Sequence, residues 1–310
     1  MALSIIILAA GQGTRMKSNR PKVLHHLAGK PMLQHVVDTS KTLDPDQIIV
    51  VIGHKAELVK EAMSGQSLHF IEQKELLGTG HAVAQCLPIL NAGNDILVLT
   101  ADVPLVSETT LRSLLADSNE TDVNVLSFMP ANPFGYGRIV RNADSQVCAI
   151  VEQKDASDSE RAIIESNSGF IFIAGDQVKP LIGLLDNDNA QAEYYLTDVI
   201  KHAAASGLRV NATVCTDADE VNGVNNQQQL SEVERLYRQR QANALMIQGV
   251  KLYDPARIDI RGQLTVGKDV VIDINCIFEG TVELADNVTI GAGCIIRNTR
   301  IDSNTVILPM

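Results

Sequence analysis

Apolar positions change their rhythm three times along this chain of 310 residues. Up to about Thr216, short apolar runs alternate with segments that are apolar on one helical face only. The runs at 5–8, 47–52, 68–71, 95–99, 123–128, 170–173 and 209–214 predict strands, the first of them, an unbroken apolar run, a strand covered on both faces. The segments at 32–39, 55–63, 79–90, 108–116, 177–185 and 197–205 predict amphipathic helices between them. Strand and helix in alternation predict an α/β layered fold with a mostly parallel sheet. In such sheets ligands sit beyond the carboxyl ends of the strands.

The second rhythm, at 226–249, is rich in Gln, Glu, Arg, Leu and Ala, and free of Pro and, until Gly249, of Gly. Leu230, Val233, Leu236 and Tyr237 recur at helical spacing, with Glu234 and Arg238 as an i,i+4 ion pair. One long linker helix is predicted, capped by Asn226 and stopped at Gly249. After Leu264 the period becomes six. Large apolar residues stand at Val266, Ile272, Phe278, Leu284, Ile290 and Ile296, and small ones at Val270, Cys276, Val282, Val288 and Cys294. This is the pattern of hexapeptide repeats that wind a parallel β-helix. The phase slips by one residue at Ile301. Terminal coils need a polar cap, and the apolar stretch 306–310 is not one, so the chain is expected to be part of a longer protein. The domains expected are therefore 1–225, the linker helix 226–249, and the opening coils of a β-helix over 250–310.

Charge sharpens the picture at one place. The chain carries a formal charge of −11, yet no acid precedes Asp38, while Arg15, Lys17, Arg20, Lys22 and Lys30 all fall before it. These cations follow a small-residue loop, Ala9-Ala10-Gly11-Gln12-Gly13-Thr14, at the end of the first strand. A glycine loop backed by cations predicts an anionic ligand. It lacks the third glycine of a dinucleotide fingerprint and the Gly-Lys-Ser/Thr of a P-loop. The acidic whole argues against a nucleic-acid partner. No apolar run approaches the roughly 18 residues of a membrane span, and the start lacks the basic region of a signal peptide, so a cytoplasmic protein is expected. Five scattered cysteines predict free thiols rather than disulfides or a zinc site. Adjacent His25 and His26 would diverge on any regular element and do not suggest a metal site.

Further polar residues cluster at predicted strand ends. Asp102, after the strand 95–99, offers a hard oxygen of the kind magnesium takes from protein in ones and twos. Gln73 and the stretch Gly78-Thr79-Gly80-His81 run into a helix N-terminus, a natural place to hydrogen-bond a base edge or a ribose. Read alone, Thr79 serves as that helix's cap. Gly135-Tyr136-Gly137-Arg138, Val151-Glu152-Gln153-Lys154 and Ser166-Asn167-Ser168-Gly169 place polar groups beside strands.

The spacing Leu8-Ala9-Ala10-Gly11-x-Gly13-Thr14-Arg15-Met16, followed by Pro21-Lys22-Val23-Leu24, resembles the signature of sugar-phosphate nucleotidyltransferases. With the hexapeptide tail it is most similar to the bacterial bifunctional family of N-acetylglucosamine-1-phosphate uridyltransferases and glucosamine-1-phosphate acetyltransferases. That resemblance implies a Rossmann-like first domain, a left-handed β-helix and a homotrimer packed along it. It implies UTP and N-acetylglucosamine 1-phosphate as substrates, in precursor supply for peptidoglycan and lipopolysaccharide, with Mg2+ held by Asp102 and Asn225. Arg15 and Lys22 would be the catalytic cations. Nucleotide contacts are implied for Leu8, Ala9, Ala10, Gly11, Lys22, Gln73, Gly78, Thr79, Thr100, Ala101, Asp102 and Asn225. Sugar contacts are implied for Gly137, Glu152, Asn167, Tyr195 and Thr197. The family's acetyl-transfer residues lie on later coils, so that activity is not expected of this chain. A pyrophosphorylase of another base or sugar, or a non-catalytic nucleotide-sugar scaffold on the same fold, are the rival readings.

Overall fold

The computed structural model describes residues 2–118 and 120–310. They form two compact units, one of the N-terminal stretch to Leu24 with Met32–Asn225, the other of His25–Pro31 with Asn226–Met310.

The first unit is built on strands β1 (Leu3–Leu8), β2 (Gln47–Ile52), β3 (His69–Glu72), β4 (Asp95–Thr100), β5 (Val123–Phe128), β6 (Arg138–Arg141), β7 (Val147–Val151), β8 (Ser166–Ile173) and β9 (Val210–Val214). The main sheet runs β9-β5-β8-β4-β1-β2-β3. All its neighbours are parallel except β8, which is antiparallel to both β4 and β5. The mostly parallel sheet expected from the sequence is thus present. One face of β1, through Leu3, Ile5 and Ile7, packs against α1 (Met32–Lys41), α2 (Ala56–Ala62) and α4 (Glu108–Asp117). The other, through Ile6, joins α3 (Thr79–Ala84), α6 (Gly175–Gly183) and α7 (Asp198–Ala205), α5 being the short Asp158–Arg161. Helices on both faces explain why the central strands read as mostly apolar runs.

Three local features depart from the sequence expectation. The helix expected over 79–90 stops at Ala84 and continues as tight i→i−3 turns, because Pro88 has no N–H and disfavours helical backbone at Leu87. Its cap is Gly78 rather than Thr79, whose hydroxyl accepts from the Leu196 N–H at 3.0 Å instead. The β6–β7 hairpin, absent from the strands expected, attaches to the sheet where Arg138 pairs with Ser166.

The second unit begins with α8 (Gln227–Ile247), whose Asn226 side chain accepts from the Gln229 N–H at 2.9 Å, the cap expected. The helix is part of this unit rather than a free linker: Ala242 and Leu245 are buried in one cluster with Val250, Ile258 and Ile260. The antiparallel pair His26–Leu27 and Lys30–Pro31 also belongs here, with Leu27 fully buried.

Beyond the helix the chain winds into parallel coils. Ile258 pairs with Cys276 and Phe278 with Ile296, a step of one 18-residue coil. Every hexad position from Val270 to Ile296 points inside and is buried, each large side chain contributing roughly 1.5–3 kcal/mol. Asp269, Asn287 and Asn304 stand at corners in left-handed backbone, which short polar side chains tolerate. The slip of phase has a location. Gly280-Thr281 of one coil is matched by Asn298 alone in the next, after which Leu284 pairs with Ile301.

Candidate active site

Strands β1, β3 and β4 end on one edge of the sheet, and their following loops enclose a cleft of about 500 Å³, within the range of small-molecule sites. Of the residues expected to contact nucleotide, Leu8, Ala9, Ala10, Gly11, Lys22, Gln73, Gly78, Thr79, Thr100 and Asp102 line it. Ala101 and Asn225 do not: Ala101 is fully buried in the core below, and Asn225 stands beside the cleft on Lys22. Gln12, Leu76, Ala82 and Glu193 line the cleft as well. Gln12 was within reach of sequence reasoning, as it sits inside the glycine loop. Glu193 had no sequence signal, since backbone bonds bring it there: the Tyr194 N–H donates to Leu77 O and the Gly80 N–H to Tyr194 O, both at 2.7 Å.

The loop after β1 is shaped by its glycines. Gly13 adopts φ 62 and ψ 33 before the short turn Thr14–Met16. A Cβ there would stand 2.6 Å from Lys22 Cβ, so only glycine lets the Lys22 segment lie directly against the loop. Met16, buried at the end of that turn, pins it to the core.

Lys22 Nζ donates to Asp102 Oδ2 at 2.5 Å and to Asn225 Oδ1 at 3.2 Å. Arg15 Nη2 donates to the same Asn225 oxygen at 2.8 Å. Asn225 reaches Asp102 because the Val224 N–H donates to the Asp102 carbonyl at 2.8 Å and the Val224 side chain is buried. Four residues spread over more than 200 positions thus meet at one point. Two supply cations and two supply hard oxygens, which is the donor set Mg2+ prefers. Both oxygens already turn toward one positive group, the Lys22 ammonium, so the pair fits a cation. No cluster of three or more His, Cys, Asp or Glu suited to a metal occurs among the described residues. Any metal here would complete its shell from phosphate and water.

A second group lies around the bulge in β8. There Asn167 faces Ser127 but Ile171 faces Val125, so two extra residues are accommodated and Gly169 comes against Thr100. The Asn167 N–H donates to Gly137 O at 2.9 Å, and its Oδ1 accepts from the Gly169 N–H. Glu152 stands beside Gly137 and accepts from the Thr197 hydroxyl at 3.2 Å. Burial pushes the Glu152 carboxyl above the usual range, against the Thr197 bond, with Asp155 and Asp198 adding to the rise. Gly137, Glu152, Asn167 and Thr197 are therefore brought together. Tyr195 is buried, and its hydroxyl accepts from Gln191 at 2.7 Å and faces Asp155 at 3.4 Å. Burial pushes its phenol up to about 12. Tyr136, unassigned from the sequence, packs edge-on against Phe128, and burial raises its phenol too, with the Gly223 backbone bonded to it and Asp102 close by.

At the carboxyl edge of a mostly parallel sheet, the glycine loop, two cations and a carboxylate–amide pair form a site suited to a nucleoside phosphate. Residues 5–176 match the family of MobA-like NTP transferase domains. The chain is 51% identical over 307 residues to the bifunctional protein GlmU of Pseudomonas putida strain F1, covering 99% of this chain and 67% of that one. It is 50% identical to that of Cupriavidus pinatubonensis, covering 99% and 68%, and 50% identical to that of Idiomarina loihiensis, covering 96% and 65%. Among solved structures, a nucleotidyl transferase from Methanothermobacter thermautotroptrophicus superposes with a TM-score of 0.55 at 19% identity, covering 76% of this chain and 97% of that one, a likeness of fold. The chain is a nucleotidyltransferase of the GlmU family, and it spans about two thirds of the length of these relatives. No helix among the described residues is long and apolar enough to cross a membrane.

Proposed function

We propose that this enzyme makes UDP-N-acetylglucosamine and pyrophosphate from UTP and N-acetylglucosamine 1-phosphate. The observation that carries the proposal is the Lys22 ammonium lying against Asp102 and Asn225 together, with Arg15 on Asn225, at the mouth of the glycine loop. A sugar-phosphate oxygen attacks the α-phosphorus of UTP, the bond to the β-phosphate oxygen breaks, and pyrophosphate leaves. The attacking oxygen is already ionised, so no side chain need take its proton. The chain's contribution is positioning and charge neutralisation. Amides of the loop from Ala9 to Gly13 approach the triphosphate, and Arg15 and Lys22 face the negative charge that gathers on the phosphorus oxygens and the leaving group. Bound between Asp102 and Asn225, Mg2+ would supply Lewis-acid stabilisation of the same charge. The cluster of Gly137, Glu152, Asn167 and Thr197 takes the sugar.

Pyrophosphate release, measured over UTP, CTP and dTTP paired with N-acetylglucosamine 1-phosphate and glucose 1-phosphate, tests this reading. UTP with N-acetylglucosamine 1-phosphate is expected to give the highest kcat/KM, and to require added Mg2+. A higher value for another pairing, or full turnover in EDTA, would refute it.

A further inference from the structure

One side chain behind the cleft is wired in a way the reaction itself does not require. Gln73 directly follows β3, its N–H donating to Ile52 O at 2.8 Å, and its side chain is buried against the start of α3. Its Nε2 lies 3.0 Å from the Gly78 carbonyl and 3.0 Å from His81 Nδ1. His81 Nε2 in turn lies 3.1 Å from the terminal amide of Gln85, one helical turn on.

These contacts allow only one arrangement of protons. The Gly78 carbonyl can only accept, so the Gln73 atom beside it is nitrogen, and that nitrogen must donate. Its second N–H points at His81 Nδ1, which therefore accepts. The imidazole is then neutral with its proton on Nε2. That N–H needs an acceptor, so the Gln85 atom facing it is the amide oxygen, the two amide atoms being interchangeable by rotation of the terminal group. A proton on Nδ1, or a doubly protonated ring, would set N–H against N–H at Gln73. The Gln73 amide consequently cannot flip. Both its hydrogens are engaged behind the cleft. Its Oε1, by contrast, has no hydrogen-bond partner among the described residues and is not sealed from solvent, and Gln73 lines the cleft. The cleft is offered a fixed acceptor.

We propose that His81 is the positioning residue for base selection, holding Gln73 so that only a base carrying a ring N–H donor is accepted. A uracil-type base presents N–H at its 3 position and suits this oxygen. A cytosine-type base presents a lone pair there and meets acceptor against acceptor. This inference rests on the reading of the cleft as a nucleoside triphosphate site. Selectivity comes from the unpaired acceptor left by the wrong base, the mode by which polar pockets discriminate most strongly. An amide freed from His81 could rotate and present its N–H group instead, and discrimination would fall.

The test is the ratio of kcat/KM for UTP to that for CTP, in the wild type, His81→Phe, Gln73→Met and the double variant. Phenylalanine keeps the ring beside Tyr194, which His81 faces at 6.4 Å between centroids, but removes the acceptor. His81→Phe is expected to lower the ratio about tenfold, chiefly through KM for UTP, and to change nothing further once Gln73 is already Met. A general packing defect would lower both rates together and leave the ratio alone. An unchanged ratio in His81→Phe, or an equal fall in the Gln73→Met background, overturns the proposal. Independently of any variant, 15N-resolved NMR of the wild-type ring is expected to show the Nε2-protonated tautomer, and the Nδ1-protonated one would refute it. Wild-type enzyme that prefers CTP, or turns over neither, would instead refute the underlying uridylyl-transfer reading.

Discussion

Gly13→Ala isolates how far the loop geometry governs catalysis. At φ 62 and ψ 33, an L side chain costs about 1–2 kcal/mol. That strain alone lowers the melting temperature by a few degrees in a domain of this size. The added methyl would also stand 2.6 Å from Lys22 Cβ, where carbons normally keep about 3.5–4.0 Å. Lys22 must therefore yield by about 1 Å, and its Nζ sits on Asp102 and Asn225 at 2.5 and 3.2 Å. A displacement of that size at a reacting centre costs on the order of 100-fold in rate. Gly65→Ala separates the two effects. Its φ is 77 but nothing lies within 4 Å of its Cβ position, so it bears the strain without the displacement. Steady-state pyrophosphate release and thermal melts of both variants form the assay. Gly13→Ala is expected to lose about two orders of magnitude in kcat, while Gly65→Ala melts similarly early and turns over normally. Equal kcat in the two variants would refute the argument that Lys22 needs Gly13 beneath it.

Asp102→Ala should lower kcat far more than it raises KM for the sugar phosphate, and the Mg2+ concentration giving half-maximal rate should rise. An unchanged Mg2+ dependence in steady-state assays would count against the Asp102–Asn225 pair as the cation site. Glu152 is held above its ordinary carboxyl range by burial, so the native state binds its proton more tightly than the unfolded chain. Its contribution to stability is full below about pH 4 and is lost as pH rises through the raised folded value. Glu152→Gln should therefore melt higher than wild type at pH 7, and the gap should close in scans near pH 4, while KM for the sugar phosphate rises. Cys86 is buried, with its thiol pushed up to about 12. Thiol reagents should label it only in denaturant, and rapid native labelling followed by mass spectrometry would contradict its burial. Light scattering tests the homotrimer that the family resemblance implies: a mass three times that of the 33.5 kDa chain is expected, and a monomer mass would refute it.

The sequence was most informative where one periodicity governs a whole element. Strands covered on both faces are mostly apolar, and ten of the hexad positions point inward as their spacing requires. It was least informative where distant segments decide. The β6–β7 hairpin is only four and five residues a side, and β8 is antiparallel because it returns between β4 and β5, which its own residues do not encode. The cation side of the site was legible because Gly11, Gly13, Arg15 and Lys22 lie within one loop. The meeting of Asn225 with Asp102 depends on a single backbone bond from Val224, and only the family resemblance anticipated it. Glu193 was invisible for the same reason, being carried in by the backbone of its neighbour.

The hairpin around Leu27 has a consequence for how this protein can be taken apart. Because residues 25–31 belong with the helix and coils, the polypeptide passes from one unit to the other at three places rather than one. A single cut at 225 would leave the first unit carrying a segment whose buried Leu27 and Ala28 have lost their surroundings. Neither unit is thus a single continuous stretch of the chain. Recombining them with foreign modules calls for exchanging a short internal segment together with the tail, three junctions of which the first falls only three residues downstream of Lys22.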